Sequence, residues 1–255
     1  MIDWQCHPEY ATGESGRAFA SLDAVFALKG ERVTSDPESE VIRVCIDGVL
    51  YYVKRYTIGR RKLARRWFGL RDIFGPQRAV NEWQNLQRFR AWGLPTATLV
   101  AWGQERRGGR FLRAALVTEA LCDTEDLSKL YHQRDSRLRD RRWVDAVSTQ
   151  VAACTRTMHT HGFAHNDLKW RNLLVTSGED PKIFLIDCPN GGFWIRPFLD
   201  YRIIKDLACL DKVANQALSR TQRLRFYLQY VGRPRLTAVD KPKLRKILHF
   251  FAGRE

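Results

Sequence analysis

Alternating apolar and polar positions mark the first clear element of the chain, a pair of strands over residues 41–56. The stretch "VIRVCIDGVLYYVKRY" places β-branched and aromatic runs on both sides of Asp47-Gly48, a dipeptide that suits a tight type I′ hairpin turn. The earlier run "AVFALKG", residues 24–30, is expected to supply a third antiparallel strand, and the polar "ERVTSDPESE" after it reads as a loop. The runs "TATLVAWG" and "FLRAALVTEAL" predict two more strands.

A helical pattern lies between these strands, over residues 77–92, with a proline before it and a Gly-Leu-Pro run after it. Glu82, Leu86 and Phe89 fall on one stripe of this helix. A carboxylate on an apolar stripe is unfavourable to bury without a partner. Glu82 is therefore expected to have one.

The second half of the chain reads as mainly helical. A long helix is predicted to end at Gly162, and its apolar positions at helical spacing are Val144, Val147, Val151, Cys154 and Met158. Two short strands follow, "NLLVT" and "KIFLID", and then a helix over residues 200–218. This order predicts an α+β fold with two lobes. Residues 1–120 would form a small antiparallel β lobe with one key helix, and residues 121–255 a mostly helical lobe.

The composition is that of a folded cytosolic protein with affinity for polyanions. An apolar share of 44% in 255 residues is enough for a real core. No run of 18 uncharged apolar residues exists, and the N-terminus lacks the pattern of a signal peptide. The six cysteines are scattered without a C-x-x-C pair, which favours reduced thiols. The net charge of +15 favours nucleic acid, an anionic membrane surface or a phosphorylated substrate, and composition does not choose among them.

A cluster of polar side chains in "HGFAHNDLKWRNLLV", residues 161–175, suits phosphoryl transfer. That reaction needs a carboxylate near the attacking hydroxyl, oxygen ligands for Mg²⁺ and a cation on the nucleotide phosphates. Asp167, Lys169 and Asn172 match the H-x-D-L-x-x-x-N pattern of protein-kinase catalytic loops. The plainer interpretation is an ordinary helix-to-strand loop whose polar groups cap helix ends.

Three residues elsewhere in the chain supply the remaining roles. Asp187 ends an apolar strand, Lys54 closes another strand, and Glu82 lies on the helix that follows Lys54. Taken singly, such residues are typical of turns and solvated faces. Their order, and the type of element that carries each, favour the kinase-like interpretation over the plainer one.

These motifs resemble the lipopolysaccharide core kinases of Gram-negative bacteria, a family with a protein-kinase-like fold that phosphorylates Kdo or heptose sugars of the inner core. The resemblance covers nearly the whole chain, through "LYYVKRY", "NEWQNLQRFRAWGLPT", the catalytic-loop stretch, "IFLID" and "RIIKDLACLD". It implies that Asp167 is the catalytic base and that Asn172 and Asp187 bind Mg²⁺. It further implies that Lys54 orients the phosphates of ATP.

The same resemblance assigns supporting roles. Glu82 would hold Lys54 in place, and Lys169 would steady the transferring phosphoryl group. His165 is expected to be structural, packing under the loop. Asp206 is expected to hydrogen-bond the loop from the following helix, although a plain surface carboxylate is an equal alternative.

The chain departs from protein kinases around the nucleotide. The glycine-rich pattern G-x-G-x-x-G is missing from the segment 29–40, because Gly30 is the single glycine in that segment. Tyr52 stands where protein kinases have a small alanine over the adenine, and Asp187 begins Asp-Cys-Pro instead of D-F-G. The sequence therefore leaves open which residues cover the phosphates of ATP and where the adenine binds.

Two further departures concern the acceptor. Asn166 replaces the arginine that meets a phosphorylated activation loop in regulated protein kinases, and Asp206 follows Asp187 by only nineteen positions, without A-P-E. These features disfavour a protein kinase and favour a constitutively active kinase of a sugar or small molecule.

A basic segment at residues 59–78 holds seven Lys or Arg against one Asp, interleaved with Trp, Phe, Leu and Ile. This pattern is typical of a helix on an anionic membrane surface. Such a helix would dock the enzyme peripherally at the inner face of the cytoplasmic membrane and capture an anionic lipopolysaccharide acceptor. A solvated helix that packs on the small lobe, or an RNA-binding arm, are the alternatives.

The sequence thus predicts a kinase that uses ATP and Mg²⁺ to phosphorylate a core sugar hydroxyl, with heptose favoured. One alternative is another kinase-like phosphotransferase, acting on an RNA-associated protein or on a small molecule; nucleic acid itself is a disfavoured partner. Another is a pseudokinase binding module, which the intact catalytic set disfavours. The oligomeric state and the need for a partner protein are left open by the sequence.

Overall fold

The computed structural model describes residues 1–58 and 78–253, and the chain divides into two units. The first unit comprises Met1–Arg88 and Ala97–Leu121, and the second comprises Phe89–Thr96 and Cys122–Glu255. Residues 89–96 thus group with the second unit, whereas the sequence-based boundary after residue 120 assigns them to the first lobe. Almost all of the basic segment, residues 59–77, lies outside the described residues.

The first unit contains a six-stranded sheet in which every neighbouring pair of strands is antiparallel. In sheet order the strands are β1 (Ile2–Cys6), β5 (Leu99–Arg107), β6 (Arg110–Glu119), β4 (Val49–Thr57), β3 (Ser39–Ile46) and β2 (Glu31–Asp36). Ile42, Val53 and Val117 lie opposite one another on β3, β4 and β6, and all three are buried. This cross-strand row belongs to the apolar core on one face of the sheet.

The predicted hairpin at Asp47-Gly48 is confirmed. Asp47 has φ +51° and Gly48 has φ +77°, the positive values that both central residues of a type I′ turn require. Ile46 and Val49 pair directly on either side, which fixes the register of β3 against β4. The two strands predicted at residues 96–121 are confirmed as β5 and β6.

The predicted strand at residues 24–30 is wrong. A short helix α1 (Gly13–Ala18) is followed by a second helix, α2 (Leu22–Ala27), whose Ser21 hydroxyl accepts the main-chain N–H of Ala24 at 3.1 Å. Leu22 and Val25, one turn apart, are fully buried against the sheet. A run this short has too few positions to separate helical from strand periodicity.

The expected loop at residues 31–40 is also wrong, because it contains β2 at the sheet edge. Every residue of β2 is exposed, so the strand lacks the apolar alternation that would have identified it. Gly30 leads into β2 where the backbones approach closely: an added Cβ would lie 2.4 Å from the carbonyl oxygen of Arg43. Only glycine fits there without a shift of β3.

Helix α3 (Arg78–Ala91) confirms the predicted helix to within one residue at each end. Its predicted stripe is buried, with Glu82 and Leu86 each 4% exposed and Phe89 0% exposed. Leu86 packs with Tyr56 of β4 in a second apolar cluster of the first unit. The stripe therefore carries a carboxylate into the interior, as expected.

The second unit is mainly helical. Its helices are α4 (Leu127–His132), α5 (Arg141–Thr160), α6 (Phe198–Ala217), α7 (Arg220–Val231) and α8 (Asp240–Leu248). The predicted long helix is confirmed as α5, and all five of its predicted apolar positions are buried. Gly162, with φ +73°, follows the end of α5.

Short strands in the second unit frame the loop that contains the kinase-like motif. β7 (Thr124–Asp126), β9 (Leu173–Thr176) and β10 (Ile183–Leu185) form a three-stranded antiparallel sheet, while β8 (Phe163–Ala164) pairs with β11 (Gly192–Phe193). The two predicted strands are confirmed as β9 and β10, although β10 ends at Leu185 rather than at Asp187. The motif loop runs from β8 to β9.

Among residues 1–58 and 78–253, no helix combines the length and the apolar character needed to cross a bilayer.

Candidate active site

A charged pair in the first unit joins the predicted lysine and glutamate. The Nζ of Lys54 donates to both carboxylate oxygens of Glu82, at 3.0 Å and 2.9 Å. The side chain of Lys54 is 17% exposed and that of Glu82 is 5% exposed. The predicted contact is therefore present, and it supplies the partner that a carboxylate on the buried stripe of α3 needs.

Tyr56 is a member of this cluster that the sequence did not reveal. Its hydroxyl donates to Oε2 of Glu82, and Nζ of Lys54 lies 5.5 Å from the centre of its ring. Lys54 and Tyr56 are two residues apart on β4, so they share one face of the strand. The two-residue spacing of Lys54 and Tyr56 on a predicted strand could have identified Tyr56 from the sequence. The carboxylate is held by donors from one strand, which fixes the direction of the ammonium group.

The turn between β2 and β3 stands where protein kinases have their glycine-rich loop. Asp36 Oδ1 accepts the main-chain N–H groups of Glu38 at 2.8 Å and of Ser39 at 2.9 Å. The Ser39 hydroxyl donates to Oδ2 at 2.7 Å. Partial burial raises the pKa of Asp36, but these donors and the charge of Arg78 outweigh it and leave the pKa below its ordinary value. A phosphate at this turn would have to displace a carboxylate from the same N–H groups.

The motif loop of the second unit is held by bonds among its own residues. The main-chain N–H of Lys169 donates to the carbonyl of Asp167 at 2.9 Å, and the N–H of Asn172 donates to the carbonyl of Lys169 at 2.9 Å. The side-chain amide of Asn172 donates to the carbonyl of Asp167 at 2.8 Å. The structure therefore brings Asp167, Lys169 and Asn172 together in one turn that ends in the 3₁₀ segment Trp170–Asn172.

Asp167 is an ionised carboxylate between two cations. Lys169 Nζ lies 2.5 Å from Oδ1, and Arg171 lies 3.4 Å from Oδ2. Partial burial raises the pKa of Asp167, but the hydrogen bonds and charges of Lys169 and Arg171 outweigh it and leave the pKa below its ordinary value. The sequence did not single out Arg171, although its position four residues after Asp167 was a visible signal.

His165 has the structural position expected of it. Its side chain is 0% exposed, and neither ring nitrogen has a hydrogen-bond partner among the residues that the structure describes. Burial is the main effect on its pKa, which lies below the ordinary histidine value. The ring is stacked near Phe89, with centroids 6.2 Å apart. A neutral, packed imidazole is unsuited to proton transfer at this loop.

Asp206, on α6, binds the backbone of the motif loop. Its Oδ2 accepts the main-chain N–H of His165 at 2.8 Å and lies 3.4 Å from Nε2 of His159. The residue is 0% exposed, so the expectation of a loop contact is confirmed and the alternative of a plain surface carboxylate is wrong.

Arg202 is a second residue of α6 that binds the motif loop, and the sequence analysis did not identify it. Arg202 donates to Oδ1 of Asn166 at 3.2 Å and stacks over the ring of Trp194, with its guanidinium carbon 4.3 Å from the ring centre. Asn166 has φ +63°, and its amide also donates to the carbonyl of Asn190 at 2.9 Å. The residue that replaces the regulatory arginine is thus fixed by contacts within the fold.

Asn172 is joined through its backbone to the residue before Asp187 in the second unit. The main-chain N–H of Ile186 donates to the carbonyl of Asn172 at 3.0 Å, which places Asp187 next to it, with φ +57°. Because the Asn172 amide nitrogen is committed to the loop, its oxygen is the atom suited to a cation. The described residues contain no group of three or more His, Cys, Asp or Glu suited to a metal. An amide and a carboxylate still fit Mg²⁺, which keeps water and phosphate oxygens as its other ligands.

Comparisons with known proteins bear on the family and the fold. The model of the lipopolysaccharide kinase (Kdo/WaaP) family matches residues 20–230. A curated relative, the lipopolysaccharide core heptose(I) kinase WaaP of Pseudomonas aeruginosa, is 29% identical over 240 residues, or 91% of this chain and 85% of the relative. A solved structure of WaaP in complex with acyl carrier protein matches with a TM-score of 0.71 and 26% identity, and covers 98% of this chain and 94% of that chain. The predicted α+β, two-lobed, protein-kinase-like fold is confirmed.

Proposed function

The chain belongs to the lipopolysaccharide kinase (Kdo/WaaP) family, and from this premise we propose that the sugar it phosphorylates is a heptose of the inner core. As a member of the family, it is an ATP-dependent kinase whose acceptor is a sugar hydroxyl of lipopolysaccharide. The heptose is supported by the Pseudomonas aeruginosa relative, which is a heptose(I) kinase. The observation that carries the mechanism is the ionised Asp167 within a turn closed by Asn172.

In this proposal, the oxygen of the heptose hydroxyl attacks the γ-phosphorus of ATP while Asp167 accepts the hydroxyl proton. The bond from the γ-phosphorus to the bridging oxygen breaks, and ADP leaves. The lowered pKa keeps the carboxylate ready to accept that proton at neutral pH. Lys169, which lies 2.5 Å from Asp167 here, also reaches toward the transferred phosphoryl group and offsets its charge. Lys54 orients the phosphates of ATP, and Glu82 with Tyr56 fixes the direction of Lys54.

Asn172, through its amide oxygen, and Asp187, through its carboxylate, would hold Mg²⁺. The ion, when bound, neutralises charge on the phosphates. The chain's own part is to join the backbone of Asn172 to that of Ile186, the residue before Asp187. His165, Asp206 and Arg202 act on the loop only as positioning residues.

We place the reaction in the cytoplasm, peripherally at the inner face of the cytoplasmic membrane. The acceptor is a lipid-linked saccharide, and the chain carries a net charge of +15 that suits an anionic surface. Residues 59–78 are the proposed docking segment, from sequence alone.

Acyl carrier protein is a proposed partner. The solved structure with which this chain aligns over 98% of its length is a complex of WaaP with acyl carrier protein. The sequence left the need for a partner open. Expression of this chain with and without surplus acyl carrier protein, followed by size-exclusion chromatography and intact mass measurement, would show a 1:1 complex if the proposal holds. Elution of the chain alone under both conditions would contradict it.

The function is tested by incubating the protein with ATP, Mg²⁺ and core lipopolysaccharides truncated at successive sugars, with mass analysis of the products. We expect phosphate on acceptors that contain heptose and none on those truncated before it. Asp167→Asn serves as the matched inactive control. ATP binding without transfer to any acceptor would favour the pseudokinase module, and transfer only to a protein or to an aminoglycoside would favour those other phosphotransferases.

A further inference from the structure

A row of large apolar side chains is exposed where β11 leads into α6. Ile195 is 78% exposed, Phe198 is 60% exposed and Tyr201 is 50% exposed. We call residues 195–201 the apolar ridge. Three such residues within seven positions are more than the single, scattered apolar residues that any surface shows.

Main-chain hydrogen bonds within the ridge and directly before it define its conformation. The main-chain N–H of Leu199 donates to the carbonyl of Ile195 at 3.0 Å, and Trp194 donates to the carbonyl of Gly162 at 3.0 Å. Leu199 points inward and is 7% exposed. Leu199 therefore packs into the interior of the second unit, while Ile195, Phe198 and Tyr201 are exposed to solvent.

A groove of about 970 Å³ borders the ridge within the second unit. Its apolar lining includes Ile203, Ile204, Leu207 and Ile247. Cationic side chains line it as well, from helices α5 and α8, from the loop after α7 and from the ridge itself; they are Arg156, Arg196, Arg233, Lys243 and Lys246. Asp200 is the carboxylate among the described residues that line the groove, and it pairs with Arg196 at 3.1 Å. The surroundings of the ridge are therefore positive.

We propose that the apolar ridge and the cationic groove dock this protein on an anionic lipid bilayer. Ile195 and Phe198 enter the interface, Tyr201 lies at headgroup depth, and Lys243 and Lys246 contact acidic headgroups. The charge of the groove favours an anionic partner, and the mixed aliphatic and aromatic ridge suits a fluid apolar layer. The inference rests on the proposed function in one respect: the acceptor of that reaction is lipid-linked. The apolar ridge and the groove contain none of residues 59–78, the docking segment proposed from the sequence.

The test is co-sedimentation of the full chain with vesicles of phosphatidylcholine containing one-third phosphatidylglycerol, and with pure phosphatidylcholine. We expect Ile195→Ser/Phe198→Ser to reduce partitioning onto the anionic vesicles by at least about fivefold. Val33→Ser is the matched control, since Val33 is 47% exposed on the first unit, and it should bind as the wild type does. Lys243→Gln/Lys246→Gln should weaken binding at low salt, with the difference fading as salt rises.

Several results would overturn the proposal. These are equal partitioning of Ile195→Ser/Phe198→Ser and wild type, equal loss in Val33→Ser, or a wild-type dimer that the ridge variant converts to a monomer. The last result would assign the ridge to a second copy of the chain. Activity on a soluble, delipidated core oligosaccharide separates this inference from the proposed function. If that activity persists in the ridge variant, a failed vesicle result leaves the kinase assignment intact.

Discussion

The buried carboxylate of Asp206 accepts the main-chain N–H of His165 at 2.8 Å, so helix α6 holds the start of the loop that carries Asp167. The acceptor is 0% exposed, and in its absence the His165 N–H would be buried without that partner. The proposed base, Asp167, has to be fixed to within a fraction of an ångström, and this contact supplies part of that restraint.

Asp206→Ala should lower the free energy of unfolding by about 1–3 kcal/mol, because a buried donor loses its acceptor. It should also lower kcat while the KM for ATP stays near the wild-type value, since the loop and not the nucleotide is disturbed. Asp206→Asn retains an oxygen acceptor and should keep most of the activity. Urea denaturation and steady-state kinetics measure both effects. Unchanged kcat in a destabilised Asp206→Ala would remove the positioning role.

The pair formed by Lys54 and Glu82 allows stability and activity to be separated. Lys54→Met removes the ammonium group that pairs with the buried Glu82 carboxylate, so the free energy of unfolding should fall by about 3 kcal/mol. The value of kcat/KM for ATP should fall about 100-fold. The double variant Lys54→Met/Glu82→Leu replaces the pair by apolar groups and should regain stability but not activity. Recovery of both by the double variant would show that Lys54 does not act on ATP.

The pH dependence of activity should report the contact between Lys169 and Asp167. Partial burial raises the pKa of Asp167, but bonding to Lys169 and Arg171 lowers it more, so wild-type activity is lost only when the pH falls below the ordinary aspartate range. Lys169→Met removes the nearer cation and should raise the pKa, which moves the acid limb of the kcat/KM profile to higher pH. Arg171→Met, at the longer distance of 3.4 Å, should move it less.

The direct measurement is ¹³C NMR titration of labelled aspartate carboxylates, with Asp167→Asn used for assignment. It reports the pKa even where Lys169→Met is slow in turnover. A pKa that falls or stays constant in Lys169→Met would contradict the proposed electrostatic control.

Local chemistry explains what the sequence could predict. Asp47-Gly48 identified its hairpin because the turn type depends on the two residues themselves. Glu82 was notable because a charge on an apolar stripe needs a partner, and Lys54 is that partner. The motif loop could also be predicted from local sequence, because Asp167 and Asn172 are in contact within one turn.

Contacts between distant positions explain what the sequence could not predict. Arg202 reaches Asn166 across 36 residues, and no local pattern records that meeting. Strand β2 was missed because an edge strand with two solvated faces has no apolar alternation. Helix α2 was taken for a strand because its burial depends on the sheet beneath Leu22.

The charges of residues 59–78 make membrane docking by this segment testable. Neutralising Arg60, Arg61, Arg65 and Arg66 should weaken binding to anionic vesicles, because each basic residue near such a surface contributes about 1 kcal/mol at low salt. The wild-type interaction should fade as salt rises, since these charges are screened over a Debye length of about 8 Å at physiological ionic strength.

Activity distinguishes the roles that this segment can have. If it docks the enzyme on the membrane, the neutralised variant should lose more activity on membrane-embedded acceptor than on soluble core oligosaccharide, because Asp167 and Lys54 are untouched. Equal losses on both acceptors would indicate capture of the anionic sugar. No loss in either assay, with unchanged vesicle binding, would mean a solvated helix and would leave the kinase assignment standing.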